Sequence, residues 1–204
     1  MSGLGRVHSN FLLPFIRGFN MEHFYQQVPG WFNYESLYST IVNWAPEKAH
    51  FVECGVWKGK SAAYMCVEII NSGKTITFDC IDTFKGSLDE DVHQQDPDVI
   101  NDRLMEVCIE NLKPVEGHYN LFKISSVEAA KNYEDESLHF VNIDGAHDYD
   151  SVKADIEAWL PKVKKGCYLA GDDFHHEPLR RAVYDCFPPD KVGTIGNSWI
   201  YQVE

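Results

Sequence analysis

From His50 onwards the chain switches repeatedly between short apolar runs and stretches of helical periodicity. That alternation constrains the fold more than any other feature. HFVEC, TITFDCID, YNLFKI, LHFVNID and CYLAGDD read as strands. SAAYMCVEII, residues 98–112, VEAAKNY, SVKADIEAWLPKV and EPLRRAVYDCF read as the helices that follow them. Repeated β-α-β units imply a parallel sheet with helices on both faces. The strands are near-continuous apolar runs, as expected for burial on both sides. The pattern then breaks: KVGTI, Gly196-Asn197 and SWIYQV predict an antiparallel hairpin. The expected fold is therefore α/β, a doubly wound and mostly parallel sheet finished by a C-terminal antiparallel hairpin.

Residues 20–46 predict an amphipathic helical segment carrying Phe24, Trp31, Tyr34, Leu37, Ile41 and Trp44, ending near Pro46. Residues 85–97 are acidic and aperiodic, the profile of a lid or binding loop. A length of 204 residues fits one domain, with residues 1–48 as a helical cover and 49–204 as the core. The formal net charge is −13, so a phosphate backbone or an anionic membrane is a poor partner and a small molecule the expected one. The early run FLLPFIRGF is too short to span a bilayer and is interrupted by Pro14 and Arg17. None of the six cysteines forms a CxxC pair, and Cys54, Cys80 and Cys167 lie in apolar strands. Reduced thiols and a cytoplasmic setting are expected. The aromatic N-terminal segment suits covering its own sheet or a neighbour's, which leaves a homo-oligomer open.

In open α/β sheets, ligands bind beyond the carboxyl ends of the strands. The first strand delivers Glu53 and the turn Gly55–Gly59; the second delivers Asp82, Thr83 and Phe84. The third delivers Ser125 and Ser126, the fourth Asp144 and His147, and the fifth Asp172 and Asp173 with His175 and His176 beyond. Buried carboxylates without partners are costly, so this rim wants cations, donors or solvent. The opening turn is one residue short of a Walker loop and has GxxxG where a dinucleotide fold needs GxGxxG. It suits a ligand with a positive end for Glu53 and a carboxylate for the helix start at Ser61, as in an amino acid. Asp82 is placed to accept from two ribose hydroxyls.

The run Glu-Cys-Gly-Val-Trp-Lys-Gly-Lys-Ser resembles the E-x-G-x-x-x-G-x-S motif of catechol O-methyltransferase-like enzymes. From about residue 50 the chain resembles class I S-adenosylmethionine-dependent methyltransferases, whose Rossmann-like sheet has seven strands. IDGAHDYDSVKADIEAWLPKVKKGCYLAGDDF is closer still to the macrocin-type, metal-dependent sugar O-methyltransferases. The resemblance implies S-adenosyl-L-methionine and a divalent metal, with Mg²⁺ expected, as cofactors. Glu53, Gly55, Val56, Trp57 and Gly59 would surround the methionine part and Ser61 its carboxylate. Asp82, Thr83 and Phe84 would hold the ribose and adenine, with Ser125, Ser126 and Asp144 completing the pocket. Asp144, Asp172 and Asp173 match metal-ligand positions. His147 matches the general-base position beside Asp144. Catechol enzymes have Lys and Asn where this chain has His147 and Asp173, which points away from a catechol and towards a sugar-like hydroxyl.

Plainer readings stand beside these. Asp172 or Asp173 could cap the following helix, and Asp150 suits a cap. His147 could bond a loop carbonyl, and His175 and His176 read as solvent-facing or substrate-side. Trp57, Phe174, Trp199 and Tyr201 read as packing or pocket wall. Two other function classes remain: a metal-dependent hydrolase using Asp144, Asp172, Asp173, His175 and His176, and a non-catalytic cofactor-binding protein.

Overall fold

The computed structural model describes residues 20–87 and 90–204. Five parallel strands form the body of the sheet: β1 (Lys48–Cys54), β2 (Thr75–Asp82), β3 (Asn120–Lys123), β4 (Leu138–Ile143) and β5 (Val163–Gly171). The hairpin of β6 (Val192–Ile195) and β7 (Ser198–Gln202) completes it, in the order β3-β2-β1-β4-β5-β7-β6. Among the described residues, only the β5–β7 and β6–β7 pairings are antiparallel. The predicted fold class is the observed one: a seven-stranded α/β sheet of Rossmann-like order.

Alternation along each strand sorts its side chains between two cores. Phe51, Phe78, Cys80 and Phe140 face α1 (Glu35–Trp44), α2 (Lys60–Ser72) and α5 (Leu104–Asn111). Val52, Cys54, Ile81, Val141 and Ile143 face α6 (Ser126–Ala130), α7 (Tyr149–Trp159) and α8 (Glu177–Cys186). The period of two therefore puts Glu53 and Asn142 on the same face as α1. All six cysteines are free thiols.

Several boundaries depart from the sequence expectation. Residues 20–34 carry no regular element beyond one 3₁₀ turn at Tyr25–Gln27, and the helix begins only at Glu35. Pro29 and Gly30, the latter at φ +122°, break the stretch whose aromatics follow a helical stripe. Part of the expected cover, residues 1–19, lies outside the described residues. The stripe itself is real from Leu37: Leu37, Tyr38, Ile41 and Val42 are buried. The α1 carbonyl end is held by Lys74, whose Nζ donates to Val42, Asn43 and Ala45 oxygens at 2.7, 2.8 and 2.8 Å. Residues 85–97 are not structureless: α3 (Asp91–Gln94) and the first residue of α4 (Pro97–Ile100) fall within them. The helix expected over 98–112 is split between α4 and α5 by Asp102 at φ +51°. The cap of α7 is Asp148, which accepts from Ser151 N, and not Asp150. That helix stops at Trp159, before Pro161.

Candidate active site

The carboxyl ends of β1, β2, β4 and β5 open into a cavity of about 700 Å³, a volume suited to a small organic ligand. Its floor is the turn after β1. Gly55 (φ +93°) and Gly59 (φ +89°) take a left-handed backbone that other residues resist. At Gly55 no side chain would fit, because a Cβ would lie 1.8 Å from the Asp144 carbonyl oxygen. The turn is clamped from β2: Asp82 Oδ2 accepts from Val56 N at 2.7 Å and Trp57 N at 2.8 Å, and Oδ1 from Phe84 N at 2.7 Å. Oδ2 thus has both acceptor sites filled, and Oδ1 keeps one for a ligand.

Of the residues expected at a cofactor, Gly55, Val56, Trp57 and Ser61 line the cavity, as do Asp82, Thr83, Ser126 and Asp144. Four others are placed differently. Glu53 is fully buried behind the turn, Gly59 faces Leu112 and Cys108, and Ser125 flanks α6 outside the lining. Phe84, at φ +55°, packs into the core beneath α2 and α5. Ser126 accepts from Trp159 Nε1 at 2.7 Å and neighbours Asp155, a buried carboxyl on the cavity wall that burial pushes up to about 6.

Among the described residues, Glu53 has no cation paired with it. Its Oε1 accepts from Tyr38 Oη at 2.8 Å, while Oε2 is buried without a hydrogen-bond partner. Burial pushes its carboxyl up to about 8, against the pull of the Ser61 and Tyr38 hydroxyls. Asn142 Nδ2 donates to Tyr38 Oη at 3.1 Å, tying β4 into the same group.

Asp144, Asp172 and Asp173 bring carboxylate oxygens within 4.8 Å of one another. Burial, then the Asp172 carboxylate, pushes Asp144 up to about 7, while Tyr34 donates to its Oδ2 at 2.6 Å and pulls the other way. Burial also raises Asp172, opposed by Ser198 Oγ at 2.9 Å. The His147 ring, 3.0 Å from Asp173 Oδ2 through Nε2, holds Asp173 below its ordinary value. Neither Asp172 nor Asp173 caps α8, whose N-cap is His176. His147 faces carboxylates, Asp173 and, at 3.3 Å, Glu90 Oε1. Three converging carboxylates, two of them pushed towards protonation by burial, are a donor set fitted to a hard divalent cation.

The mouth of the cavity is built by the segment expected as a lid or binding loop, the N-terminal segment and the glycine turn. Trp57 stacks on His93 of α3 at 4.1 Å, with Trp31 packed beside both and 64% exposed. Lys58, on the glycine turn, donates to Asp96 at 2.8 Å and Asp98 at 2.7 Å on the residues around α4. Tyr34, Tyr38, Asn142, Ser198 and Lys58 were not legible as site residues. Asn142, a polar residue inside the apolar run of β4, was the one visible signal.

A family model described as a methyltransferase domain matches residues 52–174, more than half of the chain. No curated protein sequence matches. Among solved structures, the O-methyltransferase NovP superposes with a TM-score of 0.60 at 19% identity, covering 82% of this chain and 78% of NovP. CalS11, a calicheamicin methyltransferase also described as a TDP-rhamnose 3'-O-methyltransferase, gives 0.58 at 16%, covering 82% and 76%. A caffeoyl-CoA O-methyltransferase homologue from Staphylococcus aureus gives 0.58 at 12%, covering 86% and 85%. The hydrolase reading does not survive the family match. The chain belongs to the methyltransferase-domain family, with the class I S-adenosylmethionine-type fold, and is a methyltransferase.

Proposed function

We propose that the protein transfers the methyl group of S-adenosyl-L-methionine to a hydroxyl of a small polyhydroxylated acceptor, sugar-like or glycoside-like, held on a divalent metal. The observation that carries this reading is the convergence of Asp144, Asp172 and Asp173 on one point beside the glycine turn, in one cavity. The structures alike in fold include one described as a TDP-rhamnose 3'-O-methyltransferase and one described as a caffeoyl-CoA O-methyltransferase homologue.

In this reading the backbone of Gly55–Trp57 and the Ser61 hydroxyl hold the amino-acid end of the cofactor. Glu53, behind the turn, supplies the unsatisfied oxygen for its ammonium. Asp82 accepts from a ribose hydroxyl through the remaining acceptor site of Oδ1, and Ser126 with Asp155 faces the base. A bound sulfonium supplies a good leaving group, and a cation on three carboxylates supplies the acidity that an alcohol lacks. Asp144, Asp172 and Asp173 would hold that cation beside the acceptor oxygen, and His147 would take the hydroxyl proton. Trp31, Trp57 and His93 exclude water and wall the acceptor. Orientation is the main contribution expected of such a site, on the order of 7–11 kcal/mol when geometry is near attack.

Calorimetry with S-adenosylmethionine and S-adenosylhomocysteine, in Mg²⁺ and in EDTA, tests this on wild type and Asp172→Ala. The expected result is cofactor binding in both proteins, with a metal signal lost in Asp172→Ala. Methyl transfer that persists unchanged in EDTA would remove the metal from the reading.

A further inference from the structure

The loop leaving β5 assembles a second donor set. Asp173, His175 and His176 each place one ligand-capable atom within 4.8 Å of the others. Their spacing of i, i+2, i+3 is made possible by Asp173 at φ +55°, which turns the chain sharply before α8. One carboxylate oxygen, Oδ1, lies 3.6 Å from His175 Nδ1, while Oδ2 lies 3.0 Å from His147 Nε2. His176 stacks on His147 at 5.2 Å and 15°, and leans on His175 at 4.2 Å. His175 is exposed and His176 half-buried, so both rings border solvent rather than the core.

Two nitrogen or oxygen ligands on one ion, each with a bond of about 2.1 Å, lie at most about 4.2 Å apart. The three donors therefore need only a small inward rotation of the two imidazole rings. Imidazole is a borderline-soft ligand that favours Zn²⁺, Co²⁺ or Cu²⁺, whereas three carboxylates favour Mg²⁺ or Mn²⁺. Asp173 belongs to both sets.

We propose that Asp173, His175 and His176 form a second cation site, selective for a late first-row divalent metal such as Zn²⁺, and that filling it withdraws Asp173 from the three-aspartate cluster. The site stands on its own three side chains. The competition rests on the proposed reading of Asp144, Asp172 and Asp173 as a metal centre. The enzyme would then sense transition metals at its own active site: Zn²⁺ would expel the hard cation without occupying its place.

The test uses Zn²⁺ calorimetry and Mn²⁺ electron paramagnetic resonance on wild type, the double variant His175→Ala/His176→Ala, and Asp144→Asn. Zn²⁺ should bind wild type and Asp144→Asn alike, and the double histidine variant at least tenfold more weakly. Adding Zn²⁺ should release bound Mn²⁺ from wild type but not from the double variant. A Zn²⁺ affinity that falls less than tenfold in the double variant overturns the site. Release of Mn²⁺ to the same extent in both proteins overturns the sharing of Asp173. If Mn²⁺ binds wild type no better than Asp144→Asn, the three-aspartate reading fails, and the Zn²⁺ result still decides the histidine site.

Discussion

Tyr34 reaches across 110 residues of sequence to donate its hydroxyl to Asp144 Oδ2 at 2.6 Å, from a side chain that is almost wholly buried. The N-terminal segment is therefore part of the site and not merely its cover. Four residues on, Tyr38 does the same for Glu53. One helical start thus steadies both the carboxylate proposed for metal and the one proposed for the cofactor ammonium. Tyr34→Phe keeps the ring packing and removes only the donor. Mn²⁺ affinity should fall roughly tenfold or more, the range seen when a ligand loses its orienting hydrogen bond. An unchanged affinity by paramagnetic titration would assign the bond to packing alone.

Glu53 makes stability depend on pH in an unusual direction. Its carboxyl lies near 8 in the fold against 4.5 ordinarily. The folded state holds the proton more tightly than the unfolded one, so this contribution is complete below about 4.5 and is lost as pH climbs through about 8. Denaturant melts should show stability declining over that window. Asp144, raised to about 7, acts in the same direction. In Glu53→Gln the decline should be shallower, with the variant gaining a few kcal/mol on wild type at the alkaline end. A parallel decline in both proteins would contradict the assignment.

Two glycines with similar backbones should differ sharply. A Cβ at Gly55 would meet the Asp144 carbonyl oxygen, whereas one at Gly73 (φ +69°) meets nothing within 4 Å. Gly73→Ala should cost about 1 kcal/mol, the strain of a left-handed alanine. Gly55→Ala should displace β4 from the turn and abolish cofactor binding, as read by calorimetry. Equal losses in the two variants would mean that the close approach is not rigid.

Lys58 ties the floor of the cavity to its rim. Lys58→Met leaves Asp96 and Asp98 facing each other without their cation. Hydrogen exchange over residues 91–100 should quicken, with a local loss of about 1–2 kcal/mol for two half-exposed carboxylates. Arg103→Ala, which breaks an exposed pair with Glu106, should change stability by less than about 0.5 kcal/mol. Exchange that stays slow in Lys58→Met would show the rim held by the Trp57–His93 stack instead.

The alternation of strands and helices was legible because buried parallel strands must be continuously apolar, and the hairpin because Gly196-Asn197 is a turn pair. Asp144, Asp172 and Asp173 were legible through their position at strand ends, and the fold does bring them together. Pro29 and Gly30 were visible breakers, yet the aromatic spacing of residues 24–34 imitated a helix because aromatic packing needs no particular backbone. The split at Asp102 carried no such punctuation. Tyr34, Tyr38 and Ser198 were hidden for another reason. Each sits where a core residue would sit, and its partner is distant in sequence, so no local pattern distinguishes a packed tyrosine from one that orients a carboxylate.

β7 lies between β5 and β6, and Ser198 at its start bonds Asp172. Every other proposed site residue precedes Ser198 in the chain. During vectorial synthesis the glycine turn and the three aspartates therefore emerge before the strand that secures Asp172 against β5. Until β7 inserts, β5 is an open sheet edge with an apolar face, the kind of surface that chaperones hold and aggregates recruit. Competence for catalysis and escape from that hazard arrive in a single late pairing, so a ribosome stalled just short of Ser198 would hold a chain that has neither.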